Sequence, residues 1–172
     1  MRKSILILAL TLVLLLTLGI NVQAQSKEVT ESGVTTYYVT SKVLPLGERH
    51  FRMDYEAVGV TVNDTGEGLF HNATVHVLGG MTIEKGLYKD DRGLGVFNLQ
   101  NGDKVFYKYE FAGEVIPKGV GIGKGTVTLV GGTGKCTGIQ GSFESTRYTP
   151  RTPSTEGVGL SYTKGKFTYT LP

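Results

Sequence analysis

Cysteine occurs once in this chain of 172 residues, at Cys136, and tryptophan does not occur at all. A lone cysteine cannot close an internal disulfide, so the fold must be held by its own core. The three histidines, His50, His71 and His76, are scattered, and His71 and His76 have opposite parity along one stretch. A metal site needs several such ligands brought together, so no metal site is predicted. There is no GxSxG elbow, HExxH pair or Walker loop, which removes the common hydrolase and nucleotide-binding signatures. The run GVGIGKG at Gly119 to Gly125 is glycine-rich, but no helix pattern follows it to aim N–H groups at a phosphate. Lys and Arg form no sustained run, which excludes the usual footprints of nucleic-acid and anionic-membrane binding. No cofactor is predicted.

What is abundant is glycine, 25 residues of it, set among β-branched residues, Tyr and Phe. That mixture points to an all-β domain with many turns. The chain opens on a tripartite leader: Arg2 and Lys3, then an apolar stretch from Ile5 to Leu18, then Val22-Gln23-Ala24 with a small residue before the cleavage point. Residues 1–24 therefore read as a secretory signal peptide cleaved after Ala24, which places the protein in the periplasm or outside the cell. The competing reading, an uncleaved anchor, needs about 20 apolar residues. No cysteine follows the leader to carry a lipid. Without Arg2 and Lys3, the 18 basic residues become 16 against 15 acidic ones, a net charge of +1.

Residues 25–33 are polar and read as a flexible segment, and residues 34–172 as one β-barrel domain. From His50 to Val62, Phe51, Met53, Tyr55 and Ala57 alternate with His50, Arg52, Asp54 and Glu56. Such alternation marks a strand with one wet face, and Gly59 reads as a bulge. Leu69 to Leu78 reads as the next strand, bent at Gly79-Gly80 into Met81 to Tyr88. Asp90 to Gly93 reads as a turn, Leu94 to Leu99 as a strand, and Asn101-Gly102 as a type I′ hairpin. In Lys104 to Ala112, Val105, Tyr107, Tyr109 and Phe111 oppose Lys108 and Glu110. Gly113 to Gly125 reads as a connection, and Val158 to Leu171 as the last strand. About eight strands in sequence order predict an antiparallel closed barrel. An eight-stranded outer-membrane barrel fits the length, but Arg52, Asp54, Glu56, Lys108 and Glu110 fall where lipid would be.

The stretch Gly119 to Phe143 ends a strand at Gly131-Gly132-Thr133-Gly134-Lys135, followed by Gly138-Ile139-Gln140-Gly141. This corner, with Gly66 to Ala73 and Asn101-Gly102-Asp103, resembles the allene oxide cyclase and dirigent barrel superfamily, a calycin-like fold with small exported bacterial members. The resemblance covers about Tyr37 to Leu171. It implies a barrel with an interior cavity and a homo-oligomer, since those families form dimers or trimers. Members of those families act on or bind apolar oxylipins or phenoxy radicals in such a cavity, largely by shape; the resemblance implies the cavity and not that activity. The carry-over ends at the corner, because the family's catalytic positions match no residue here.

Phe51, Tyr55, Tyr107, Tyr109 and Phe111 share the inward parity of two strands. A small barrel either fills its interior or holds one small apolar ligand. Arg147 follows Ile139, Gly141 and Phe143 in parity, which makes it a candidate anchor for a ligand carboxylate. These six are the candidate ligand-binding residues, and the Gly131 to Lys135 corner is a structural loop. The leading reading is an exported barrel that binds a small apolar molecule. A cofactor-free cyclase or isomerase, and a filled barrel with a structural or surface role, stay open beside it.

Overall fold

The computed structural model describes residues 27–116, 120–150 and 158–172, so the leader lies outside the described residues. Eight strands follow one another around a closed antiparallel barrel. They are β1 (Glu28–Gly47), β2 (His50–Asn63), β3 (Thr74–Glu84), β4 (Leu87–Asn98), β5 (Lys104–Ile116), β6 (Val120–Gly132), β7 (Gln140–Thr149) and β8 (Val158–Thr170). Alternation sets the two faces: Tyr55, Ala57, Tyr107, Tyr109 and Phe111 are buried inside, while Asp54, Glu56, Lys108 and Glu110 are exposed outside. β1 closes the barrel by pairing with β2 on one side and, from Glu28↔Thr170 to Thr40↔Val158, with β8 on the other. Closure over that length leaves the paired part of β1 without an open edge.

Several boundaries differ from the reading by composition. The segment taken as flexible, residues 25–33, is strand from Glu28 onward; Gln25 and Ser26 lie outside the described residues. Its polar side chains are no obstacle, because β8 supplies backbone partners and Val29 packs against the core. Asp90 to Gly93 is no turn but the middle of β4, and Asp91 is fully buried. Gly113 to Gly125 mostly extends β5 and β6, with residues 117–119 outside the described residues. Gly59 sits in unbroken register with Tyr37 and Val75. It is there because a Cβ would lie 1.9 Å from the Thr36 carbonyl oxygen. The I′-type connection is Lys85-Gly86, with φ of 51° and 88°, and not Asn101-Gly102. There only Gly102 has positive φ, while Asn101 Oδ1 accepts the Asp103 N–H at 3.0 Å.

The β2–β3 connection closes one end. It carries Phe70, fully buried, into the barrel, where the ring lies 4.8 Å from Phe97, 5.3 Å from Tyr169 and 5.4 Å from Phe167, centre to centre. Glu31 of β1 holds this plug: its carboxylate accepts the Leu69 N–H at 2.9 Å, the Asn63 side-chain amide at 2.5 Å and the Tyr169 hydroxyl at 2.5 Å. Leu69 to Ala73, expected as strand, is thus spent on the plug, and β3 begins only at Thr74.

The glycine corner lies at the same end and clasps the β4–β5 turn. Asp103 Oδ2 accepts the Lys135 N–H at 3.1 Å, and Thr133 Oγ1 accepts the Lys104 N–H at 2.9 Å. Gly134 has φ of 54°, and a Cβ on it would lie 1.9 Å from Asp103 Oδ1. Gly134→Val should therefore cost more than about 1 kcal/mol. An unchanged midpoint in urea would show that the corner does not need its glycine.

Candidate functional site

Above the plug the barrel is not filled. A cavity of about 250 Å³ runs among inward side chains of β1 to β3 and β5 to β8, with β4 contributing Phe97. That is near the lower end of small-molecule pockets, roughly 300–1,000 Å³. Its floor includes Phe97 and Phe167, and its wall includes Met53, Met81, Val127 and Phe143. Of the candidates read from parity, Tyr55, Tyr107, Tyr109, Phe111 and Arg147 all line it. Phe51 points inward too, but packs on the core beside the β1–β2 turn without lining the cavity.

The wall also carries Thr35, Ser41, Ser145, Thr149, Ser161 and Thr163, and one hydrogen-bonded cluster built around an ion pair. The Tyr55 hydroxyl donates to Asp91 Oδ1 at 2.5 Å and lies 2.6 Å from the Tyr109 hydroxyl. Arg147 Nη1 donates to Asp91 Oδ2 and, at 3.3 Å, to the Tyr55 hydroxyl. The guanidinium carbon also sits 4.5 Å from the centre of the Phe111 ring and 5.4 Å from that of Tyr109, a cation–π arrangement.

The sheet register explains how residues so far apart meet. Tyr55 pairs with Gly79, Gly79 with Gly93, and Gly93 with Tyr109, so the two tyrosines face each other across two glycines. A Cβ would lie 1.8 Å from the Tyr109 hydroxyl at Gly79 and 2.4 Å from it at Gly93. The missing side chains are what let the hydroxyls converge. The row from Arg147 through Gly123 and Gly113 to Tyr88 repeats the device, with the Tyr88 hydroxyl over both glycines.

Burial governs the charges here. It pushes the Tyr55 hydroxyl far above its ordinary value, Arg147 opposing and Asp91 adding to the rise. It raises Tyr109 to about 12 and lifts Tyr88 and Tyr107 as well. All four are neutral hydroxyls at physiological pH. Burial also raises the Asp91 carboxyl above its ordinary value, and Arg147 and the Tyr55 hydroxyl offset only part of the rise. For Arg147, burial would lower the pKa, but Tyr55, Asp91 and Tyr109 more than offset it, so the guanidinium stays charged. Tyr107 differs from the rest. Tyr37 sits beside it and contributes to its raised pKa, yet the buried Tyr107 hydroxyl makes no hydrogen bond of normal geometry.

Asp91 is the residue that sequence reasoning missed. Flanked by Asp90, Arg92 and Gly93 it looks like turn, but its parity with Gly93, Gly95 and Phe97 already put it on the inner face. It is also the partner of Arg147, the residue read as an anchor for a ligand carboxylate: one face of the guanidinium already holds a carboxylate of the protein's own. The histidines stand apart from the cavity. His76 Nε2 lies 2.6 Å from Glu56 Oε1 on the outer face, and His71 Nδ1 accepts the Asn63 N–H at 3.2 Å by the plug. Cys136 is fully buried, and burial raises its thiol pKa, the reverse of an activated nucleophile. Comparison of the chain with protein-family models and with curated proteins found no match.

Proposed function

We propose that this is an exported barrel protein that binds one small apolar molecule in its interior. The observation that carries the reading is the cavity itself: about 250 Å³, walled mainly by apolar and aromatic side chains, with Ser and Thr residues of β1, β7 and β8 among them and one charged group, Arg147, paired to Asp91. Sites of this make-up hold a ligand by shape and orient it with a few polar groups. The closed eight-stranded architecture is in keeping with the resemblance to allene oxide cyclase and dirigent barrels. Binding is favoured over cyclase or isomerase chemistry by the state of Asp91. Both of its oxygens are engaged and it does not line the cavity, so it offers no free base to a bound molecule.

A thermal-shift screen of medium-chain aliphatic and single-ring aromatic compounds tests the reading. At least one class should raise the melting temperature of the wild type and raise that of Tyr107→Ala less. If no compound shifts the wild type, the interior is structural. Export is tested by intact mass, which should correspond to a chain beginning at Gln25; a mass retaining Met1 to Ala24 would contradict it.

A further inference from the structure

The hydrogen-bond directions inside the cluster are settled by chemistry. A carboxylate only accepts, so the single Tyr55 proton goes to Asp91 Oδ1. The 2.6 Å contact between the two tyrosines then needs Tyr109 to be the donor and Tyr55 the acceptor. Tyr55 also accepts from Arg147 Nη1, which fills both lone pairs of its oxygen. Asp91 Oδ2 takes the other bond from Nη1. Both Asp91 oxygens are thus engaged, and Asp91 does not line the cavity.

Other groups of the cluster remain unused. Among the described residues, Arg147 Nε and Nη2 donate to no protein group, and neither is a sealed-off orphan. Arg147 lines the cavity, so these N–H groups meet whatever occupies it. The Tyr109 oxygen keeps free lone pairs, whereas the Tyr107 hydroxyl is sealed in the wall beside Tyr37. Among the described residues Arg147 is the only charged residue lining the cavity, and Asp91 already balances that charge.

From this we infer the ligand class: an apolar molecule with one uncharged oxygen function, a ketone, aldehyde or alcohol, taken in preference to the matching carboxylate. This rests on the binding reading above and deepens it. A neutral oxygen accepts the spare N–H groups without disturbing the Arg147–Asp91 pair. A carboxylate would bring a second negative charge to a site with one cation already paired, and burying an unbalanced charge is costly.

The test is titration calorimetry of the purified protein at pH 7 with three ligands of one medium chain length: the methyl ketone, the primary alcohol and the fatty-acid carboxylate. The ketone and alcohol should bind at least about tenfold tighter than the carboxylate, a difference of about 1.4 kcal/mol. Asp91→Asn frees the charge of Arg147 and should narrow that ratio at least about tenfold. The wild-type comparison decides by itself if Asp91→Asn does not fold. A carboxylate that binds the wild type as tightly as the ketone overturns the inference and leaves interior binding standing. Failure of all three to bind, with the aliphatic and aromatic screen also empty, overturns the binding reading and this inference together.

Discussion

Arg147→Met should destabilise the protein by about 3–5 kcal/mol, and adding Asp91→Asn should restore most of that loss. Asp91 is fully buried and the Arg147 side chain only 14 % exposed. Removing the guanidinium leaves a carboxylate in an apolar interior with one neutral partner, the Tyr55 hydroxyl. Asparagine at position 91 keeps an oxygen for Tyr55 and removes the charge, so the double variant has no unpaired ion. The pH dependence follows from linkage. Arg147 pulls the Asp91 pKa down against burial; without it, the folded value rises further above the unfolded one. An acid whose folded pKa exceeds its unfolded pKa binds more protons when folded, so stability falls as pH rises through that interval. The defect of Arg147→Met should be smallest near pH 4, about the pKa of an unfolded aspartate, and grow toward neutrality. Urea unfolding of both variants at several pH values measures this. A defect that ignores pH, or a double variant no better than the single, would mean that Asp91 is not left charged and alone.

Phe70→Ala should cost about 3–5 kcal/mol as well, for a different reason. The ring is fully buried and touches Phe97, Phe167 and Tyr169 at the closed end of the barrel. Its loss leaves a void that a closed sheet cannot collapse to fill, because the strands are tied to two neighbours each. The melting temperature should drop by roughly 10 °C or more. Phe97 and Phe167 also line the cavity above, so the variant should accept longer ligands than the wild type does. Phe70→Leu should fall in between. A near-wild-type melting temperature for Phe70→Ala would show that the plug is not part of the core.

The plug and the Arg147 site differ in how visible each was before folding. Phe70 falls in a stretch whose alternation suggests an ordinary strand, and nothing local marks it as the residue that turns inward. The fastening partner, Glu31, lies in a segment that composition alone assigns to a flexible tail. Its role exists only because β1 runs between β8 and β2, which brings it to the closed end of the barrel.

Alternation along His50 to Val62 and Lys104 to Ala112 was enough to determine the all-β class and the inward faces, including Tyr55, Tyr107, Tyr109 and Phe111. A side-chain period of two is a local property that does not depend on which strands pair. The parity of Arg147 was legible for the same reason. Only the tertiary structure decided what those inward groups meet. Register across β2, β3, β4 and β5 put Gly79 and Gly93 between Tyr55 and Tyr109 and brought the two hydroxyls together. Closure of the barrel set Arg147 on β7 opposite Asp91 on β4. Pairing partners and closure are relations between distant segments, so no stretch of the chain carries them by itself.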